Sequence, residues 1–119
     1  MAKLVLMLDD VAINEYRLDK KRITLGRSSE NDILVDDPVV SSRHAVITTN
    51  KNALMPELLD VFFDDLKSTN GSRINKMEPK KQQKLRQGDI IQVGRSLFRF
   101  DNEQDEVIDS TAIYIPDDE

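Results

Sequence analysis

Apolar and polar residues alternate over short stretches of this chain. Ile23 and Leu25 alternate with Arg22 and Thr24; Ile33 and Val35 stand among Asp32, Leu34 and Asp36; Ala45 and Ile47 alternate with Val46 and Thr48. Further on, Ile91 and Val93 alternate with Gln92 and Gly94, and Phe98 and Phe100 with Leu97 and Arg99. A period of two marks strands with one buried face, whereas a helix would place its apolar residues about 3.6 positions apart. Turn-forming clusters separate the stretches, at 26–31, 36–38, 68–71 and 87–89. The pattern predicts strands near 3–8, 12–18, 22–26, 32–35, 44–49, 58–64, 72–75, 84–86, 90–94 and 97–101. Short strands recurring every 8–12 residues or so argue for an all-β antiparallel sandwich or barrel. The stretch KNALMPELL, 51–59, is read either as one helical turn before Pro56 or as a loop.

Length and composition narrow the picture. A chain of 119 residues suits one domain large enough to bury a core. It has no cysteine, which removes disulfides and zinc-thiolate sites and fits a reducing, cytoplasmic setting. The early apolar run LVLML, 4–8, is far shorter than the roughly 20 residues that cross a bilayer, so neither a membrane nor a signal peptide is expected. The net charge of −5 conceals an asymmetry: residues 101–119 hold eight acids and no base, while 1–100 hold 14 acids against 17 bases. The division expected is therefore a mildly basic domain, 1–101, followed by an acidic tail, 102–119.

The inter-strand turns carry the candidate chemistry. Arg27 follows Gly26 at a predicted strand end, Ser41, Ser42 and Arg43 occupy the next long turn, and Ser68, Thr69 and Asn70 precede Gly71 in another. Loops at one end of a sandwich converge, so these residues can share one surface. Guanidinium forks, hydroxyls, an amide and backbone N–H groups form a donor set suited to a phosphate dianion. The sole histidine, His44, stands three places after Ser41, and this spacing raises the alternative of nucleophilic catalysis. Catalysis would need a base in contact with the hydroxyl, an orienting carboxylate and an oxyanion hole. The pattern supplies no clear orienter, so no catalytic residue is assigned and binding is preferred to enzymatic turnover.

The ordered series LGRSSENDILVDDPVVSSRHAVI, DLKSTNGSRIN and LRQGDIIQVGRSLFRF resembles the forkhead-associated (FHA) domain over about residues 3–101. Members of that family read phosphorylated motifs through clustered arginines. The resemblance implies an FHA/SMAD-like antiparallel β-sandwich of about 11 short strands with its binding loops at one end. It implies a phosphothreonine-dependent interaction module linked to a Ser/Thr kinase, with no cofactor and no metal. By the same resemblance Arg27, Ser41 and Thr69 bind the phosphate, Asn70 holds the peptide backbone, and Arg43 supplies a second cation. Ser42 belongs to the same set but stands where many members have a basic or amide residue. Gly26, His44, Gly71 and Asn75 fall at structural positions. Val39 stands where some members carry a basic residue, which implies an aliphatic or aromatic preference three places after the phosphothreonine.

Other features weigh less. PKKQQKLR, 79–86, is basic but lacks interleaved aromatics, so it reads as an exposed edge or loop and not as a nucleic-acid surface. The acidic pairs at 9–10, 36–37, 64–65 and 117–118 read as solvated turns. The tail VIDSTAIYIPDDE holds an apolar stretch, 112–115, beside Thr111. Thr111 is a candidate phosphosite for an FHA-like pocket, either the chain's own or that of a second copy, the latter giving self-association through 107–116. The alternative is a phosphate-independent assembly module of the same fold.

Overall fold

The computed structural model describes residues 2–102. The candidate phosphosite Thr111, the 107–116 stretch and all but the first residue of the 102–119 tail lie outside these residues. Ten strands run in chain order: β1 Ala2–Leu8, β2 Val11–Arg17, β3 Arg22–Gly26, β4 Ile33–Leu34, β5 Ala45–Lys51, β6 Leu59–Asp65, β7 Ser72–Ile74, β8 Gln83–Lys84, β9 Ile90–Val93 and β10 Ser96–Asn102. They form two five-stranded sheets, ordered β2-β1-β10-β9-β7 and β4-β3-β5-β6-β8. The two sheets pack as the expected sandwich, with ten strands among the described residues against about eleven anticipated.

The alternation seen in the sequence becomes the inner faces. Phe98 and Phe100 of β10, Ile91 of β9 and Leu4 of β1 meet Leu25 of β3, Ile47 of β5 and Phe63 of β6, all at 1% exposure or less. Burying each such side chain contributes roughly 1.5–3 kcal/mol. Tyr16 adds an edge-on contact to Phe98, with ring centroids 6.1 Å apart.

One pairing departs from the antiparallel expectation. β3 and β4 run parallel, with Leu25 beside Ile33 and Gly26 beside Leu34. The reason is local: the Asp32 carboxylate accepts the Thr24 N–H at 2.9 Å, and the Asp32 N–H donates to the Thr24 hydroxyl at 3.0 Å. These bonds bring the chain round beside its own earlier course, so it continues in the same direction. Between the strand residues Lys51 and Leu59 the segment is a loop, 52–58, and not a helical turn, because the Asn52 side-chain oxygen accepts the N–H groups of Leu54 and Met55, both at 2.9 Å. The 79–86 segment supplies the short edge strand β8, whose partner is β6.

The first and last described strands are neighbours, with Ala2 opposite Asn102. At its other end β10 begins at the Gly94–Arg95 turn, next to the loops that carry the candidate site.

Candidate functional site

Three loops meet beyond the ends of β3, β5 and β6. Gly26 closes β3 so tightly against the 41–43 turn that a Cβ there would lie 2.2 Å from the Ser42 carbonyl oxygen. Only a residue without a side chain fits, and this places the Arg27 N–H on the Ser41 carbonyl at 3.0 Å. The Arg27 guanidinium then donates through Nε to the Val40 carbonyl at 3.0 Å, which leaves its terminal nitrogens directed away from that bond.

The other candidates gather around it. The Ser41 hydroxyl oxygen accepts the Thr69 N–H at 3.0 Å, joining the two loops by a bond across 28 residues. Asn70 donates its side-chain amide to the Val39 carbonyl at 2.7 Å. Arg27, Ser42, Arg43, Thr69 and Asn70 are exposed, while Ser41 is half-buried. Neither Arg27 nor Arg43 enters an ion pair among the described residues.

His44 is fully buried beneath this surface. Its Nδ1 accepts the Ser41 N–H at 3.1 Å, and its Nε2 lies 2.9 Å from the Gly71 carbonyl oxygen, to which it donates. Both ring nitrogens are thus engaged by backbone. The Ser41 hydroxyl faces Thr69 instead, so the serine and histidine are not a nucleophile and its base.

Asn75 adopts a left-handed conformation, φ 53°, and its side chain bridges the Asp89 carboxylate and the Ile90 N–H. This clamp lies on the 75–90 connection, away from the converging loops.

Two carboxylates expected in solvated turns are structural. Asp37 is 6% exposed; its carboxylate accepts the Arg95 N–H at 2.9 Å and the Val39 N–H at 3.1 Å, with the Arg95 guanidinium at 3.3 Å. The Arg95 N–H first, and then the Val39 N–H, hold its carboxyl below the ordinary range. The clasp ties the β9–β10 turn to the 36–43 loop, and Gly94 makes it feasible: a Cβ there would lie 2.5 Å from the Val40 side chain.

Asp65 is half-buried at the end of β6. Burial alone would raise its carboxyl, but bonds from the hydroxyls of Ser72 and Ser68 and from the Ser68 N–H outweigh it and the net shift is downward. The His44 Nε2 is 3.7 Å away, too far to compete with the bond to Gly71. A depressed folded value means that Asp65 adds stability above the unfolded carboxylate value of about 3.9, and this is lost as pH falls through the lower folded value. Thermal melts from about pH 7 to about pH 3 should therefore show a fall at the acid end that is shallower in Asp65→Asn. Equal acid slopes in the two proteins would refute this assignment.

Asn31 and Arg95 escaped the sequence reading, and Asp37 and Asp65 entered it only as solvated turn residues. Asn31 donates its amide to the carbonyls of Ser28 at 2.8 Å and Ser42 at 2.6 Å, fastening the 27–32 loop to the 41–43 turn. Beside Asn70 a cleft of about 300 Å³ is lined by Val39, Gly71, Arg73, Gln92, Gly94 and Arg95 among others. Val39 thus shares its surroundings with two exposed arginines.

A two-sheet sandwich whose loops assemble exposed guanidinium groups, a hydroxyl and an amide over a buried histidine brace presents a donor set suited to an anion. The family model for the FHA domain matches residues 23–94, and the chain belongs to the FHA family.

The chain is similar to the oxoglutarate dehydrogenase inhibitor of Corynebacterium efficiens, at 39% identity over 85 residues, 71% of this chain and 54% of that protein. It is similar to the glycogen accumulation regulator GarA of Mycobacterium tuberculosis at 32% identity over 99 residues, 83% of this chain and 56% of the relative. The match thus spans about half the length of these curated relatives. Among solved structures, one determined for phosphothreonine-dependent FHA domain interactions superposes with a TM-score of 0.68 at 28% identity, covering 85% of this chain and 95% of that one. Mycobacterium tuberculosis EmbR with a low-affinity phosphopeptide superposes with a TM-score of 0.70 at 27% identity, covering 84% of this chain and 24% of that one.

Proposed function

We propose that the loop end binds a phosphothreonine-containing segment of a partner protein through Arg27, Ser41, Ser42, Arg43, Thr69 and Asn70, without catalysis. The observation that carries this reading is the meeting of the Ser41 hydroxyl with Thr69 beside an Arg27 whose Nε is pinned to Val40, leaving charged donors with no acidic partner among the described residues. A phosphate with its three acceptor oxygens takes up such donors as charge-assisted bonds. The kinase supplying that phosphate acts on Ser/Thr residues. The cysteine-free composition supports a cytoplasmic setting. The domain limits 1–101 are proposed on the same footing, with β10 ending at Asn102.

Arg73 and Arg95 refine the ligand class. The cleft beside Asn70 favours an acidic side chain a few residues from the phosphothreonine, where Val39 alone suggested an apolar one. Calorimetric titration of the full chain tests both levels, using phosphorylated and unphosphorylated forms of peptides that differ only in one acidic residue after the threonine. Binding is expected only with phosphate. The acidic peptide should bind up to about fivefold more tightly, as for an exposed ion pair worth up to about 1 kcal/mol, and lose that gain in Arg95→Ala. Equal affinity with and without phosphate would favour the phosphate-independent assembly module. A peptide of residues 105–119 phosphorylated at Thr111 belongs in the same series, because binding by it would support self-recognition.

A further inference from the structure

A second concentration of positive charge lies away from the recognition loops. A cleft of about 430 Å³ is lined by Lys80, Lys81, Lys84 and Arg86, with Asp89 as its one acidic side chain. Asp89 is already engaged, accepting the Asn75 amide and the Arg86 N–H at 2.9 Å each. Lys84 pairs with Asp60 at 3.2 Å. Lys80, Lys81 and Arg86 are exposed and enter no ion pair among the described residues. A neighbouring cleft of about 540 Å³ shares Lys80 and Lys81 and is otherwise lined by Val46, Leu66 and Pro79 with the charged Asp64, Asp65 and Lys67.

The chain leaves the described structure beside this surface. The Asn102 N–H donates to the Gln87 side-chain oxygen at 2.6 Å, and the Gln87 amide donates to the Asp101 carboxylate at 2.7 Å. The residue after Arg86 therefore grips the last two described residues. From there the sequence carries Glu103, Asp105, Glu106 and Asp109, no base as far as Glu119, and an apolar stretch at 112–115. Gln87, which holds Asn102, adjoins Arg86 of the first cleft, and the second cleft joins the first at Lys80 and Lys81. Ten extended residues span at most about 33–36 Å, so 112–115 can reach the second cleft.

We propose that residues 103–109 dock in cis along the Lys80–Arg86 cleft, with 112–115 against Val46, Leu66 and Pro79 of the adjoining one. This occupant would also cover β8, the edge strand of its sheet, where unpaired backbone groups invite pairing with other chains. The Lys80–Arg86 cleft shares no residue with the proposed phosphothreonine surface, while the second cleft reaches Lys67 in the turn that carries Thr69.

The absence of cysteine allows one label to be placed: the full chain with Ser110→Cys carries a nitroxide, and the amide NMR signals are compared in its oxidised and reduced states. Amides of residues 80–86 should lose most of their intensity in the oxidised state. They should recover it in about 1 M salt, where the Debye length shrinks to about 3 Å. The same recovery is expected in Lys80→Gln/Lys81→Gln/Arg86→Gln, whose unchanged core signals would show that it is folded. Broadening centred on Arg27 and Thr69, no broadening, or broadening that survives the triple substitution would each overturn the proposal. An isotope-labelled chain without nitroxide, mixed with unlabelled nitroxide-bearing chain, should stay sharp; broadening there would assign the cleft to a second copy's tail and overturn docking in cis.

Discussion

Arg27→Ala is expected to weaken phosphothreonine-peptide binding by about 2–5 kcal/mol, the cost of truncating one partner of a hydrogen-bonded charge pair. In affinity this is a loss of about 30-fold to about 5,000-fold, read by calorimetry with a single phosphopeptide. The geometry favours a large value, because the Nε bond to the Val40 carbonyl fixes the guanidinium before any ligand arrives. Less ordering is then left for the binding step, which is how preorganisation raises affinity. Arg27→Lys should recover only part of the loss, since lysine keeps the charge but has neither the fork nor an Nε donor for Val40. Stability should barely change in either variant, because the side chain is exposed and surface substitutions usually stay within about 0.5 kcal/mol. An alanine variant that binds within about twofold of the parent would remove Arg27 from the site.

His44→Ala should instead act through the fold. The ring is fully buried and joins the 41–43 turn to the Gly71 turn. Alanine would leave a cavity and strand the Ser41 N–H and the Gly71 carbonyl, each at a cost of about 1–3 kcal/mol. Together these place the variant among large core defects, with a melting temperature lower by on the order of 15 °C or more. Binding should fall as well at temperatures where the variant remains folded, since Ser41 and Thr69 would lose their common support. A melting point within about 2 °C of the parent would show that the histidine is not the brace described.

The sequence made local periodicity and loop chemistry legible. Phe98 and Phe100 announced the inner face of β10, and every predicted strand lies within two residues of an observed one at each end. The GR, SSRH and STNG turns could be read because each is a compact run of residues whose backbone requirements are written in adjacent letters. The clasps between loops could not. Asp37 and Arg95 are 58 residues apart, and nothing near either announces the other. Asp36 and Asp37 look alike in sequence, yet one is exposed and the other buried beneath the β9–β10 turn. The parallel course of β3 and β4 was hidden for a related reason, since alternation reveals which face a residue occupies but not the direction of its neighbour. Arg73 and Arg95 were missed because the cleft they line forms only where the loops carrying Val39 and Asn70 meet β7 and the β9–β10 turn.

The pairing of Ala2 with Asn102 gives the module the architecture of a plug-in part. Both flanks of the domain meet at one place, about 20 Å along β10 from the turn that borders the cleft beside Asn70. Chain added before or after the sandwich would emerge there without obstructing the loops, so the unit is suited to insertion into a larger polypeptide. A short linker between those two residues would also make a circular permutant feasible, with new ends opened in the exposed 76–82 connection.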